Sequence, residues 1–148
     1  MSKRVFATYL ILFFFFGWMF SCYKPENETN ISSSKEDESH KKGENCMNCH
    51  YREGPGEGWF SVAGSVYGNY TNASVNILDA ESYDLIKRIE IDELGNLYTT
   101  ENIDFQNGIR VEIINENGQV TNVMSTVVYT GQCNLCHDGQ FENLIEIF

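Results

Sequence analysis

The chain reads as an all-β protein, a single Greek-key-type β-sandwich of about six or seven short strands. Two patterns predict it. Between residues 60 and 129, apolar and polar side chains alternate in short runs rich in Val, Ile and Tyr, and Gly/Asn pairs separate the runs. No stretch between Gly54 and Gly131 repeats its apolar residues at a helical period.

The runs come in order. Residues 60–68 (FSVAGSVYG) alternate and close on Gly68-Asn69; residues 73–78 alternate again; residues 85–91 give a third run and 96–100 a short fourth. Residues 109–114 and 122–129 complete the set. Gly95-Asn96, Asn107-Gly108 and Asn117-Gly118 supply the turn chemistry between later runs, because Gly and Asn tolerate the left-handed backbone that tight reversals need. Six strands that each reverse direction place the start of the first and the end of the last at one end of the sheet stack; a seventh would place them at opposite ends.

What flanks these strands carries the chemistry. Cys46-Met-Asn-Cys49-His50 precedes them and Cys133-Asn-Leu-Cys136-His137 follows them. Cys-x-x-Cys-His is the attachment signature of a c-type haem: Cys46 and Cys49, or Cys133 and Cys136, form thioethers to one edge of the porphyrin, and the adjoining His50 or His137 ligates the iron. Two such copies predict two covalent haems c. Two other chemistries use paired cysteines and fit the pattern less well. A four-cysteine zinc site does not require His after both pairs, and a dithiol redox pair calls for a thioredoxin-like helical setting rather than glycine-rich flanks.

Each iron has room for a second protein ligand. Beyond His50 and His137 the mature chain contains His40, Met47 and Met124. Met47 lies inside a haem loop, poorly placed to reach over its own ring. Met124, on the strand leading to the second motif, and His40, in the segment before the first, are therefore the candidate further ligands. Trp59 and Phe60, close to His50, are candidates for covering a haem face.

The fifth cysteine, Cys22, follows an N-terminus that starts with Lys3 and Arg4 and then runs apolar from 5 to 20. This predicts a lipoprotein signal peptide over 1–21, with Cys22 lipidated as the mature N-terminus; the run is short of the ~20 residues of a membrane span. Residues 22–44 are polar, with Ile31 the only aliphatic side chain, and predict a disordered linker with a reach on the order of 25 Å. Residues 45–148 form the folded dihaem domain. The expected location is outside the cytoplasm, anchored by lipid to a membrane, with the outer membrane favoured.

Charge narrows the partners. Removing Lys3 and Arg4 with the signal leaves 8 of the 10 basic residues against 21 acidic ones, a net charge of −13. Nucleic acid is excluded, since phosphate binding calls for a basic surface. The acidic groups around Asp79, Glu81 and Asp84, and at Asp92-Glu93, match no calcium loop and read as solvated turns.

Residues within the strands carry a resemblance. Val62-Ala-Gly-Ser-Val-Tyr67, Ala73-Ser-Val-Asn-Ile-Leu-Asp79 and Asp92-Glu-Leu-Gly-Asn-Leu-Tyr98 resemble the V-x-G-x-V, A-x-V-x-L and D-x-x-G-x-F/Y strands of the carboxypeptidase-regulatory or transthyretin-like sandwich family. With its two Cys-x-x-Cys-His flanks, the chain looks like exported bacterial dihaem cytochrome lipoproteins that bracket such a sandwich. The resemblance implies a non-catalytic scaffold. The expected function is single-electron carriage to a redox partner protein such as another cytochrome. A haem-based sensor or interaction module is the alternative, and a peroxidase is a weaker one, because Arg52, Arg88 and Arg110 are the only guanidinium groups in the folded part and no spare His stands beside them.

Overall fold

A computed structural model of the chain describes residues 27–147; the expected signal segment and Cys22 lie outside the described residues. The fold is all-β, with nine strands among the described residues: β1 Val62–Ser65, β2 Tyr67–Gly68, β3 Ser74–Asp79, β4 Leu85–Glu90, β5 Asn96–Thr99, β6 Ile109–Ile114, β7 Val120–Val123, β8 Gly131–Gln132 and β9 Glu146–Ile147. The helical elements among the described residues are a 3-10 turn, Cys46–Asn48, and one α turn, α1, Cys133–Cys136. Both fall on the two cysteine motifs.

Four strands form an antiparallel sheet in the order β4-β3-β6-β7. A second sheet has the order β5-β1-β8, and β2 pairs with β9. Two pairings are parallel: β8 runs beside β1 through Val62↔Gly131 and Ala63↔Gln132, and β9 runs beside β2. Val62, Val66 and Leu97 meet Val75, Ile77, Ile89, Ile109 and Ile113 in one core cluster, which joins the larger sheets. Ile77 and Ile89 are fully buried. Each such side chain contributes about 1.5–3 kcal/mol of burial free energy.

The alternation expected in the third run holds only in its second half. Leu85 and Ile86 are exposed, whereas Ile89 and Ile91 are buried. The last expected run is shorter than its sequence suggests. β7 ends at Val123, the chain bends, and the next bridge to β6 is Ile109↔Val128. Met124 therefore lies just past the strand, its amide donating to the Val111 carbonyl at 2.9 Å.

From Asn27 onward the segment expected to be a disordered linker is laid along the fold. Ile31 bridges Thr99 and packs on the core. The Ser32 amide donates to the Tyr98 carbonyl (3.0 Å), its hydroxyl to the Glu90 carbonyl (2.6 Å), and the Thr100 amide to the Asn30 carbonyl (2.8 Å). Ser32 thus ties β5 of one sheet to β4 of the other. Composition misleads here because the segment is held by long-range hydrogen bonds to an open strand edge, which needs little apolar surface. A buried serine with both polar groups satisfied takes the place of a hydrophobic anchor.

Candidate functional site

Asn45 and Gln132, the residues immediately before the two first cysteines, are joined by a hydrogen bond from Asn45 Nδ2 to Gln132 Oε1 at 3.0 Å. The motifs are therefore neighbours. The chain achieves this by laying β8 alongside β1 and folding the first motif back over β1, where the Gly43 amide donates to Ser65 Oγ at 2.9 Å. The expected common end is reached, but through parallel pairing rather than an even count of reversals.

Both motif histidines are held the same way. His50 Nδ1 lies 3.0 Å from the Glu57 carbonyl, and His137 Nδ1 lies 2.7 Å from the Asn143 carbonyl. A carbonyl can only accept, so each Nδ1 carries a proton, and the neutral tautomer that fits this bond has its lone pair on Nε2. This is the arrangement that orients a metal-ligating imidazole.

Different loops produce the same result. After His50 the glycine-rich stretch 54–58 curls under the ring: the Gly54 amide donates to the Tyr51 carbonyl and the Gly56 amide to the Cys49 carbonyl. A Cβ on Gly56 would stand 2.8–2.9 Å from His50 Nδ1, Cε1 and Cγ, so only glycine lets the backbone lie that close to the imidazole. Phe60 stacks on His50 at 4.2 Å and on Tyr98 at 4.8 Å. After His137 an Asx turn does the work. Asp138 Oδ1 accepts from the Gln140 and Phe141 amides, and the Glu142 amide donates to the Cys136 carbonyl, which brings Asn143 back to the ring.

Each motif opens on its own cavity. The first, about 510 Å³, is lined by Cys46, Cys49, His50, Phe60, Tyr98 and His40. The second, about 660 Å³, is lined by Cys133, Cys136 and His137, by aliphatic core residues such as Val62 and Ile109, and by Met124. Both volumes fall in the range of cofactor sites. His40 and Met124 are thus brought to separate cavities. Trp59 and Met47 line neither, and Asn27 instead clamps the Trp59 backbone through both amide atoms.

The first thiol of each motif is pushed toward its protonated form. Burial pushes Cys133 up to about 12, helped by its neighbour Cys46. Burial also raises Cys46, with smaller pushes from the Asp92 and Glu44 carboxylates and an opposing backbone hydrogen bond. Dithiol redox chemistry calls for the opposite shift. Among the described residues, no three His, Cys, Asp or Glu side chains converge to hold a bare metal ion. A haem iron, by contrast, takes four ligands from its porphyrin and at most two from the chain. The residues present therefore fit that group: free Nε2 atoms, adjacent thiol pairs and a cavity at each.

The acidic groups read as turns are turns. Asp79 Oδ1 caps the Glu81 and Ser82 amides, and Asp92 Oδ1 caps Leu94 and Asn96. What sequence reasoning missed is the set of positioning residues, Gly56, Glu57, Asp138 and Asn143. The glycine-rich flank was the one visible signal. No protein-family model, curated protein or solved structure matches the chain.

Proposed function

We propose that the chain is a dihaem c-type cytochrome that carries single electrons outside the cytoplasm, tethered to a membrane through lipid on Cys22. One observation carries the reading: two Cys-x-x-Cys-His motifs, on unrelated local scaffolds, both donate Nδ1 to a backbone carbonyl and leave Nε2 free beside a cavity. Cys46 and Cys49 would hold one haem and Cys133 and Cys136 the other, with His50 and His137 as iron ligands. Bound haem supplies an iron that cycles between ferrous and ferric.

The chain's own work is placement. The Asn45–Gln132 bond fixes the two motifs side by side, so charge arriving at one centre has a short route to the other. We read the sheets as a Greek-key-type sandwich of the carboxypeptidase-regulatory or transthyretin-like kind, serving as a rigid scaffold. Arg88 Nε donates to Asn76 and Arg110 Nε to the Ala80 carbonyl, away from both cavities, which favours a carrier over a peroxidase. The exported, membrane-anchored location, with the outer membrane favoured, rests on the signal-like N-terminus.

The test is intact mass and visible spectra of the full chain, exported from a host with haem-maturation machinery. The expected result is a coloured protein heavier by two haems. A colourless product without added tetrapyrrole overturns the reading.

A further inference from the structure

The two cavities differ in what faces their histidines. We propose that the sites are made unequal by their remaining axial ligands: His40 completes a bis-imidazole first site with His50, Met124 completes an imidazole–thioether second site with His137, and the first centre is the low-potential one. This rests on the dihaem reading and sharpens it.

Three observations carry the assignment. First, the ring centroids of His40 and His50 are 5.8 Å apart, tilted by 39°. Two imidazoles on opposite faces of one metal, with metal–nitrogen bonds of about 2 Å, have centroids roughly 6 Å apart. The docking of residues 27–44 is what brings His40 there, through Asn96 Nδ2 donating to the Ser39 hydroxyl (2.8 Å) and the Gly43 amide donating to Ser65 Oγ. His40 is exposed, and among the described residues no hydrogen bond to its ring is formed, so no structural task there competes for it.

Second, Met124 lines the second cavity together with His137, and Met47, the other mature methionine, lines neither. Met124 lies one residue past β7, half-buried like Asn122 on the same face, and both line that cavity. A thioether ligand raises potential relative to a second imidazole.

Third, the electrostatic surroundings point the same way. Glu38, Glu44 and Glu57 line the first cavity against the lone cation Lys41, and Asp92, 1% exposed with Oδ2 unpartnered, acts on Cys46. Negative charge favours the ferric form and lowers the potential. The second cavity is walled largely by aliphatic core residues, with Glu142 and Glu146 its acidic members. Burial in such a wall favours the less charged ferrous state.

The experiment is a potentiometric titration with ferric electron paramagnetic resonance and ferrous carbon monoxide binding, on the matured full chain and three variants, His40→Ala, His40→Met and Met124→Leu. Haem number by mass is recorded for each. Expected are two resolved waves in the parent protein. His40→Ala makes one of the two haems high-spin and carbon monoxide-reactive while the thioether–iron absorption persists. His40→Met raises the lower wave toward the upper. Met124→Leu removes the thioether absorption and moves only the upper wave. Two haems present with His40→Ala and His40→Met both spectroscopically silent would overturn the assignment to His40, and an unchanged upper wave in Met124→Leu would overturn that to Met124. A parent protein carrying fewer than two haems defeats the underlying reading instead.

Discussion

Gly56 and Gly64 stand in matching relation to the two motifs, and each has a reason to lack a side chain. A Cβ on Gly56 would press on the His50 ring, whereas one on Gly64 would sit 2.6 Å from Cys133 Cβ, where α1 rests on β1. Gly64 is the central glycine of the V-x-G-x-V run, so the signature that suggested a sandwich strand also makes the seat for the second motif. Forcing a methyl into either place costs about 1–3 kcal/mol. The expected outcome is selective. Gly56→Ala perturbs the ferric spectrum of the first centre, Gly64→Ala that of the second, and each lowers the unfolding free energy by that amount. If both variants disturb the same centre, the seats are misassigned. At this scale the two Cys-x-x-Cys-His motifs were legible, because each is contiguous. The groups that aim the histidines were not, because Glu57 and Asn143 act through backbone carbonyls, which any residue type supplies.

Five of the six expected runs contain a strand, since alternation and turn glycines are local signals, whereas the last, 122–129, overlaps β7 only at Asn122 and Val123; Gly95 and Gly118 both take positive φ at their turns. β8 and β9 were invisible. Each is two residues long and exists only because a distant partner strand lies alongside. The docked segment 27–44 escaped for the same cause, and its attachment has a pH dependence that can be worked out. The Ser34 amide donates to Glu90 Oε2 at 2.9 Å and holds the Glu90 carboxyl below the usual carboxylate range. A carboxyl depressed in the folded state contributes stability above its unfolded value, about 4.3, and loses it as pH falls through the folded one. Glu90 is largely exposed, so the effect is local rather than global. The hydrogen-exchange protection of the Ser34 amide, relative to its intrinsic rate at each pH, is expected to fall several-fold on acidification below that range. Glu90→Gln brings a similar loss of protection forward to neutral pH. Protection that is insensitive to both would mean the segment is held without this bond.

Seen whole, the molecule is a strongly acidic body whose N-terminal segment is fastened down. Asn27 already clamps Trp59, so only residues 23–26 separate Cys22 from the first described contact. An extended stretch of that length spans under about 20 Å, shorter than the reach of a free 22–44 linker, so under the proposed lipid anchor on Cys22 the head would stay close to the membrane. Charge then decides which partners approach. With 21 acidic residues against 10 basic ones in the chain, the field around the body attracts cations and repels anions, and salt screens it over a Debye length of about 10 Å at 0.1 M. Oxidation of the reduced protein by a cationic metal-ammine complex is therefore expected to slow on going from about 10 mM to 500 mM salt, while oxidation by an anionic metal-cyanide complex speeds up, each roughly 10-fold. If the two reagents respond to salt alike, the acidity serves solubility alone. Opposite slopes would instead identify a steering field and point to a basic redox partner.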